Sequence, residues 1–504
     1  MTLSTEKLAS RGLGLLIAYT ALSGVIRATV KPFWCDEVIT MAMVRLPTMG
    51  AIRAAIEHGA DSHPPPFYAL ERLAGRLPLD ELIAFRLPSI LAFCCVVLCV
   101  FFFIRRWRSG VCALICAALP LTSFLFAYYA VEARGYSLMA GFVALAMVSY
   151  QRAEKTVWCI VMALSLAAAE ASHYYAIFGV IPFALAESAF LLKARRVRFG
   201  VWLAMLCAAV PLVIFWPLLK SYKNYYGSHF TGHLSLDVAM KAYGWLFQLP
   251  PGLGVGLAVT GIAAVLIYGL LIHRESFVDS LKEVPIQEHV LVLGFLILPI
   301  AMYFAIKVVH GGFGPRYLLL TTLGFPLAAS YLVPTLNRRQ LALFSILLVA
   351  TLGIQEVTLW RFARSSWAQK FAPAEDFERL ADAAGHNDLP LVASDPIDAL
   401  QLAYYASPKA SSRLVFVADA PAAVVYAGSD TADKCLLALR PYLKPPVYEF
   451  ADFAANHPEF LVYSDGKTWD WWPVRLLHDG YALDVVAMDR QSRERKIYLV
   501  TRKR

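Results

Sequence analysis

Two adjacent carboxylates, Asp36 and Glu37, stand a few residues after the first long apolar segment of the chain. The segment from His63 to Tyr68, which reads His-Pro-Pro-Pro-Phe-Tyr, follows them. A charge held close to hydrocarbon is costly, so a paired charge at this place favours a functional site. Taken alone, the pair is equally consistent with a solvated acidic helix end. Carboxylates of this kind suit a general base, or a metal clamp, acting on a hydroxyl group.

A second set of ionisable and aromatic residues recurs in later segments that we place on the same side of the membrane. Its members are Glu132, Arg134, His173, Tyr174, Lys307, His310, Arg316 and Tyr317. Arginine suits a phosphate group, because its planar fork pairs two oxygens at once. Acid and cation together at a lipid interface suit the transfer of a sugar from a lipid-linked phosphate. The base takes the proton of the acceptor, while the cations stabilise charge on the departing phosphate.

The composition is that of a membrane protein. Of the 504 residues, 59% are hydrophobic and only 16% are charged, and the mean hydropathy is +0.56. A soluble protein of this length carries more charge. Apolar runs of membrane-spanning length predict about eleven helical spans. They lie at 12–29, 85–104, 111–128, 136–150, 157–170, 174–192, 200–219, 252–272, 288–308, 316–334 and 340–359.

The charges between the spans predict the orientation of the chain. Basic residues follow every second span, and this pattern is typical of cytoplasmic loops. They are Arg105, Arg106, Arg108, Arg152, Lys155, Lys193, Arg195, Arg196, Arg198, His273, Arg274, Lys282, Arg338 and Arg339. The acidic pair and the other reactive residues then face outward. The net charge of +9 is mostly this topology signal, so a nucleic-acid partner is not expected.

The first outer loop, residues 30–82, is too long for a simple connector and has to position the acidic pair. Apolar residues at helical spacing between 41 and 56 predict one or two short helices on the membrane surface. The prolines at 64–66 predict the start of a further helix over 67–77. A second outer loop, residues 220–248, is rich in Tyr and His. It suits either an aromatic interface belt or a gate over a lipid or sugar site.

Beyond Trp360 charged residues become frequent, and residues 361–504 are predicted to form a soluble α/β domain. Short apolar runs predict strands at 391–394, 414–417, 460–463 and 497–500, and helices are predicted at 374–384 and 396–405. An odd number of spans places this domain outside the cytoplasm. Its sequence contains no Gly-rich phosphate loop. It either caps the membrane domain, residues 1–360, or helps to select an acceptor, and the sequence leaves both open.

The order of these motifs resembles the GT-C superfamily of membrane glycosyltransferases. Within it, the chain is most similar to the bacterial branch that contains the lipid A aminoarabinose transferase, the rhizobial galacturonosyltransferases and the protein O-mannosyltransferases. The resemblance covers about residues 1–335. The motifs that carry it are Asp36-Glu37, His63-Pro64-Pro65, Arg86-Leu87-Pro88, Glu132-Ala133-Arg134-Gly135-Tyr136, His173-Tyr174 and Arg316-Tyr317-Leu318-Leu319. Each motif alone is weak, and their order and shared side make the resemblance specific.

The resemblance implies a role for each group of residues. Asp36 is the expected catalytic base, and Glu37 and Glu132 position the acceptor or a divalent cation. Arg134 and Arg316 contact the phosphate of a polyprenyl-phosphate sugar donor. The acceptor is a glycan, lipid or protein, and the protein lies in the bacterial cytoplasmic membrane with its active site facing the periplasm or the cell exterior. The remaining expected substrate contacts are His63, Tyr68, His173, Tyr174, Lys307 and Tyr317.

A divalent metal ion is the one cofactor that these residues suggest. Its candidate ligands are Asp36, Glu37, His63 and Glu132, although some related enzymes carry an acidic residue at the position of His63. The competing function is a transporter or flippase of lipid-linked sugars. Such proteins often show internal repeats and charges at the bilayer midplane. We find no repeat, and Glu187 is the main charge within the predicted spans.

Overall fold

The computed structural model describes residues 3–227, 264, 267, 271–272, 274–309, 313–361, 363–364, 374–466, 470–489 and 494–502. Most of the predicted span at 252–272, most of the loop at 220–248, and His310 lie outside these residues. The chain divides into two compact units. The helical unit comprises Met1–Val30, Leu73–Phe215 and Gly232–Ala363, and the sheet unit comprises Lys31–Arg72, Trp216–Thr231 and Arg364–Arg504.

Apolar helices of membrane-spanning length dominate the helical unit. By length and composition, six described helices can cross a membrane, or seven if the bent pair Ile286–Leu296 and Leu298–Val308 forms one span. Shorter apolar helices at Gly110–Thr122, Tyr136–Tyr150 and Thr156–Ser172 coincide with the third, fourth and fifth predicted spans. The predicted polytopic helical class is therefore confirmed. The number of about eleven spans stays a prediction.

The α-helices described in this part of the chain are Leu3–Val30, Glu81–Ala84, Leu87–Arg105, Gly110–Ala118, Phe124–Tyr129, Tyr136–Tyr150, Thr156–Ser172, Val180–Ala194, Phe199–Cys207, Ala209–Tyr226, Arg274–Lys282, Ile286–Leu296, Leu298–Val309, Gly324–Leu332 and Arg338–Arg361. The described 3₁₀ helices are Leu119–Thr122, Tyr174–Gly179, Pro315–Leu323 and Val333–Thr335. The 61° bend after Leu296 precedes Pro299. Proline lacks a backbone donor, and its ring clashes with the carbonyl four residues earlier, here that of Phe295, which accounts for the break.

Two glycines stand where helices approach closely. A Cβ atom on Gly141 would lie 2.9 Å from the Ala92 carbonyl oxygen, and one on Gly294 would lie 2.7 Å from the Pro182 Cα. Both distances are too short for a larger residue without a shift of backbone. Small residues at such places let the backbones of membrane helices pack against each other.

Two buried charges in the helical unit, Arg27 and Glu187, have ionic partners. Arg27 lies 3.6 Å from Glu356, measured between Nε and Oε1, and Ser23 donates a 2.6 Å hydrogen bond to the same carboxylate. This group joins the first described helix to Arg338–Arg361. Glu187 is fully buried, and its Oε2 lies 2.5 Å from Arg198 Nη2. Pairing offsets the cost of removing these charges from water, so the main charge predicted within the spans has a structural partner.

A mixed sheet forms the core of the C-terminal domain in the sheet unit. Its strands are β1 (Leu391–Ala393), β2 (Leu414–Ala418), β3 (Val447–Glu449), β4 (Glu459–Ser464), β5 (Tyr481–Met488) and β6 (Lys496–Arg502), in the order β3-β2-β1-β4-β6-β5. The first four are parallel to one another, and β6 runs antiparallel to both β4 and β5. Its helices are Ala374–Ala384, Pro396–Tyr405, Pro408–Ser411, Ala420–Ala427, Thr431–Leu439, Phe450–Asn456 and Trp472–His478.

The predicted α/β class of this domain is confirmed, with two strands missed. Both predicted helices match the observed bounds, and the four predicted strands correspond to β1, β2, β4 and β6. Strand β3 has only three residues and follows Pro446 directly, which leaves no period to detect. Strand β5 contains Asp484 and a register shift between Val485 and Ala487, which interrupts its alternation.

Three separate stretches of the chain build the sheet unit. The first contains the helices Cys35–Val44, Met49–Glu57 and Pro65–Ala74, all within the predicted outer loop. The second is the end of Ala209–Tyr226, where the Tyr226 hydroxyl donates to the Gly59 carbonyl over 2.7 Å. The third stretch is Arg364–Arg504. The Tyr225 hydroxyl joins the second stretch to it by donating to the Lys434 carbonyl over 2.8 Å. Gly59 has φ +88°, and a Cβ there would lie 2.4 Å from the Tyr225 ring, so glycine is required.

Asp433 gives the sheet unit a pH-dependent stability. Burial raises the pKa of this carboxyl from 3.8 to about 6, and the Asp419 charge contributes in the same direction. Burial therefore favours the protonated carboxyl in the folded state, and ionisation of Asp433 destabilises the fold. The stability that protonation gives to the folded state is complete below pH ~4 and is lost as the pH rises through ~6. We expect Asp433→Asn, which cannot ionise, to unfold at a higher temperature than wild type at pH 8 and at the same temperature at pH 4.

The measurement is thermal unfolding of the purified full-length protein at both pH values. Asp452→Asn is the matched control, because Asp452 is exposed on Phe450–Asn456. It should match wild type at both pH values. A gain of equal size at pH 4 and pH 8 in Asp433→Asn would contradict the linkage to ionisation.

Candidate functional site

The acidic pair occupies the first turn of the helix Cys35–Val44. Trp34 is extended, and its carbonyl accepts the first helical hydrogen bond from Val38 at 2.9 Å. Glu37 is fully buried, and its Oε2 accepts the Trp34 N–H over 3.3 Å. Acids in a first turn also interact favourably with the helix dipole. Glu37 therefore stabilises the start of the helix, and Asp36, which is partly exposed, is the more accessible carboxylate.

The histidine–proline motif leads into the helix Pro65–Ala74. Proline suits the first positions of a helix, where its missing donor has no partner to lose. His63 is buried beside Asp61, with 3.7 Å between Nδ1 and Oδ1. Its ring lies 4.6 Å from the Phe67 ring and 6.4 Å from the Tyr68 ring. Asp61 is a carboxylate beside the predicted histidine that was not among the predicted site residues, and only its position two residues before His63 signals it in the sequence.

Arg72 joins this helix to the end of Cys35–Val44, which we call the acidic helix because it carries Asp36 and Glu37. Its Nε donates to the Val44 carbonyl over 3.1 Å, and its Nη2 donates to the Leu46 carbonyl. The last carbonyls of a helix lack internal partners and carry partial negative charge, so a cation there is favourable. The two helices that carry Asp36 and Tyr68 are therefore fixed to each other.

The helical unit gathers a histidine, an arginine and three tyrosines, which we call the arginine–aromatic group. Its members are Tyr136, His173, Tyr175, Arg316 and Tyr317. The His173 ring lies 5.0 Å from Tyr136 and 5.6 Å from Tyr317, and Tyr175 stacks on Tyr317 at 4.0 Å. The Arg316 guanidinium carbon lies 5.8 Å from the Tyr136 ring centroid and 5.4 Å from that of Tyr317. Aromatic faces hold a guanidinium in a defined plane.

Three element ends position this group. Tyr136 begins Tyr136–Tyr150, His173 follows the last residue of Thr156–Ser172, and Arg316 lies in Pro315–Leu323. His173 Nδ1 accepts the Tyr175 N–H over 3.2 Å, so a neutral His173 carries its proton on Nε2. Tyr136 and Tyr175 were not among the predicted site residues, although Tyr136 ends one of the motifs and Tyr175 directly follows another.

Glu132 and Arg134 lie in a buried turn of the helical unit, just before Tyr136. Glu132 is fully buried, and Arg134 is 4% exposed. The Ser89 hydroxyl donates to the Glu132 carbonyl over 2.6 Å and to the Arg134 carbonyl over 3.2 Å. The fully buried Arg86 donates to the Ala28 carbonyl over 3.0 Å. The serine therefore fixes the backbone that carries both predicted residues.

Tyr174 and Lys307 lie apart from these contacts. Tyr174 begins Tyr174–Gly179, and its hydroxyl has no hydrogen-bond partner among the described residues. Glu170 lies one turn earlier and is fully buried, close to the backbone N–H of Ile177. Glu170 was not among the predicted site residues. Lys307 is exposed near the end of Leu298–Val309, and within the described ranges no hydrogen bond or ion pair joins it to the arginine–aromatic group.

The predicted site residues are distributed over both units. Asp36, Glu37, His63 and Tyr68 belong to the sheet unit, and the others belong to the helical unit. In the part of the chain that the structure describes, no group of three or more His, Cys, Asp or Glu side chains has the spacing of a metal site. Asp36, Glu37 and His63, the three candidate ligands in the sheet unit, thus do not form such a group.

The chain resembles two crystal structures of ArnT from Cupriavidus metallidurans. The apo form matches with a TM-score of 0.63 and 13% identity over 98% of each chain. The form bound to undecaprenyl phosphate matches with a TM-score of 0.59 and 13% identity, over 96% of this chain and 97% of that chain. The archaeal oligosaccharyltransferase AglB from Archaeoglobus fulgidus matches with a TM-score of 0.48 and 10% identity, over 93% of this chain and 72% of that chain.

No protein-family model matches the sequence, and no curated protein sequence matches it. The likeness to ArnT shows the fold, because it extends over nearly the full length of both chains. The predicted fold class, a polytopic helical membrane domain with a C-terminal α/β domain, is confirmed, and its fold is that of ArnT.

Proposed function

We propose that this protein transfers a sugar from a polyprenyl-phosphate-linked donor to a hydroxyl group of a glycan, lipid or protein acceptor. The observation that carries the proposal is the packing of Arg316 on Tyr136 and Tyr317 in a chain with the fold of ArnT. ArnT has been crystallised with undecaprenyl phosphate, a lipid of the class that such a donor releases. A guanidinium held on aromatic rings suits that phosphate, since its orientation is set before the lipid arrives.

The proposed reaction is a displacement at the anomeric carbon of the sugar. The acceptor oxygen forms a bond to this carbon, and the bond from the carbon to the phosphate oxygen breaks. The acceptor proton passes to the Asp36 carboxylate, and the electron pair leaves with the polyprenyl phosphate. Arg316 and Arg134 stabilise the charge on that phosphate. Glu37 and Glu132 position the acceptor, and His63, Tyr68, His173, Tyr174, Lys307 and Tyr317 are the other proposed substrate contacts.

The test of this function is sugar transfer by the purified protein. Undecaprenyl-phosphate monosaccharides, offered one by one with envelope glycolipid as acceptor, should yield free undecaprenyl phosphate together with the glycosylated acceptor. The same protein in sealed vesicles distinguishes the competing function. Movement of an intact donor lipid between the leaflets, without transfer, would favour the flippase instead.

The alternation of basic loops supports a location in the cytoplasmic membrane with the sheet unit outside. We expect single cysteines at Arg53 and Lys409, both exposed positions, to react with a membrane-impermeant maleimide added to intact spheroplasts. A cysteine at the exposed Arg339, in a predicted cytoplasmic loop, should react only after lysis. Reaction is scored above the background of the nine native cysteines. Protection of Lys409→Cys until lysis would contradict the orientation.

A further inference from the structure

Two adjacent tyrosines of the C-terminal domain contact the residues that lead into the acidic helix. Tyr404 and Tyr405 end the helix Pro396–Tyr405, which begins just after β1. The Tyr405 hydroxyl oxygen accepts a hydrogen bond from the Phe33 N–H over 2.6 Å. The Phe33 ring is fully buried and meets the Tyr404 ring edge-on, with 5.8 Å between the centroids. Both contacts lie inside the sheet unit.

Tyr404 also contacts the far end of the acidic helix. Arg45 is the residue that ends Cys35–Val44, and its guanidinium carbon lies 5.2 Å from the centroid of the Tyr404 ring. An arginine over an aromatic ring is attracted by the negative face of the ring. Tyr404 therefore contacts the residues that flank the acidic helix on both sides.

These contacts fix the backbone that carries Asp36. The Phe33 N–H is bound by Tyr405, and the next N–H, of Trp34, is bound by Glu37. Asp36 is the second residue of the helix that follows, so its Cα position is set by this entry. A displacement of about 1 Å in a catalytic group can cost a hundredfold in rate, so the anchoring bears on chemistry.

We propose that Tyr405, together with Tyr404, is a positioning residue for Asp36, so that the C-terminal domain contributes to transfer by holding the base. The inference rests on the proposed function, in which Asp36 takes the acceptor proton. It adds a role for the C-terminal domain that the two sequence-based alternatives, a cap or an acceptor selector, do not contain. A cap predicts no effect of one hydroxyl on turnover, and an acceptor selector predicts an effect on acceptor KM.

Tyr405→Phe removes only the hydroxyl that binds the Phe33 N–H. We expect its kcat to fall about tenfold, with the KM for donor and for acceptor unchanged. Tyr448→Phe is the matched control, because Tyr448 lies on β3 and packs on Phe453. It should retain the wild-type kcat. A wild-type kcat in Tyr405→Phe, or a loss confined to acceptor KM, would overturn the proposal.

A double-mutant cycle with Asp36→Asn separates positioning from a general loss of stability. If Tyr405 acts through Asp36, adding Tyr405→Phe to Asp36→Asn lowers the residual rate no further. Multiplication of the two losses would show that Tyr405 acts by another route and would overturn the proposal.

Hydrogen exchange provides a readout that needs no activity. Peptides covering residues 33–38 should exchange faster in Tyr405→Phe than in wild type, and Tyr448→Phe should match wild type. Unchanged exchange in Tyr405→Phe would overturn the anchoring even if the wild type transfers sugar. If the wild type transfers no sugar, the proposed function fails, and the exchange rates alone then decide whether Tyr405 anchors this helix.

Discussion

Asp36→Asn is expected to lower the rate of sugar transfer by about 10²–10⁴-fold, the contribution that a general base typically makes. The substitution keeps the shape of the side chain and removes its basicity. Asp36 is the partly exposed member of the acidic pair, whereas Glu37 is buried against the start of its own helix. Binding of undecaprenyl phosphate should not change, because the phosphate contacts are assigned to arginines. The measurements are single-turnover transfer and lipid binding by the same preparation.

Three further variants are the comparisons for the rate loss in Asp36→Asn. Glu37→Gln and Glu132→Gln should reduce transfer less than Asp36→Asn if they only position substrate. Glu37→Gln keeps an oxygen that can accept the Trp34 N–H, so its helix should still form. Asp452→Asn, an exposed change of the same chemistry, should transfer at the wild-type rate. Transfer at the wild-type rate by Asp36→Asn would exclude Asp36 as the base.

Arg316→Ala is expected to weaken the binding of undecaprenyl phosphate by about ten- to a hundredfold, since hydrogen bonds to charged groups are the strong ones. The guanidinium packs on Tyr136 and Tyr317, so its fork is already oriented. Arg316→Lys should recover only part of the affinity, because an ammonium cannot pair two phosphate oxygens in one plane. Calorimetry with undecaprenyl phosphate in detergent measures the affinity of both variants for this lipid.

The control for this series is Arg339→Ala, which removes an exposed arginine from a predicted cytoplasmic loop. It tests whether loss of any one positive charge lowers lipid affinity, and it should bind like wild type. Equal affinities in wild type, Arg316→Ala and Arg316→Lys would remove Arg316 from the phosphate site. Full recovery by lysine would instead indicate a simple charge effect without the bidentate contact.

The sequence alone determined the class of the protein and the positions of several of its helices. Hydrophobic run length and local periodicity predict helices, and the helices at 136–150, 374–384 and 396–405 were predicted with their observed bounds. These signals are local, because each depends on residues a few positions apart. The order of motifs likewise pointed to this fold, and the full-length likeness shows that the chain folds like ArnT. The roles of the individual site residues stay predictions.

Tertiary structure decided the contacts that local patterns do not encode. Glu187 looked like an isolated charge until its pairing with Arg198 was seen, and Glu37 is distinguished from Asp36 only by its burial and its bond to Trp34. The bond between Phe33 and Tyr405 joins residues 372 positions apart. No short-range period relates residues at that separation, because such contacts arise from how separate segments pack. The sequence supplied the reactive residues, and packing decided which of them are held, paired or accessible.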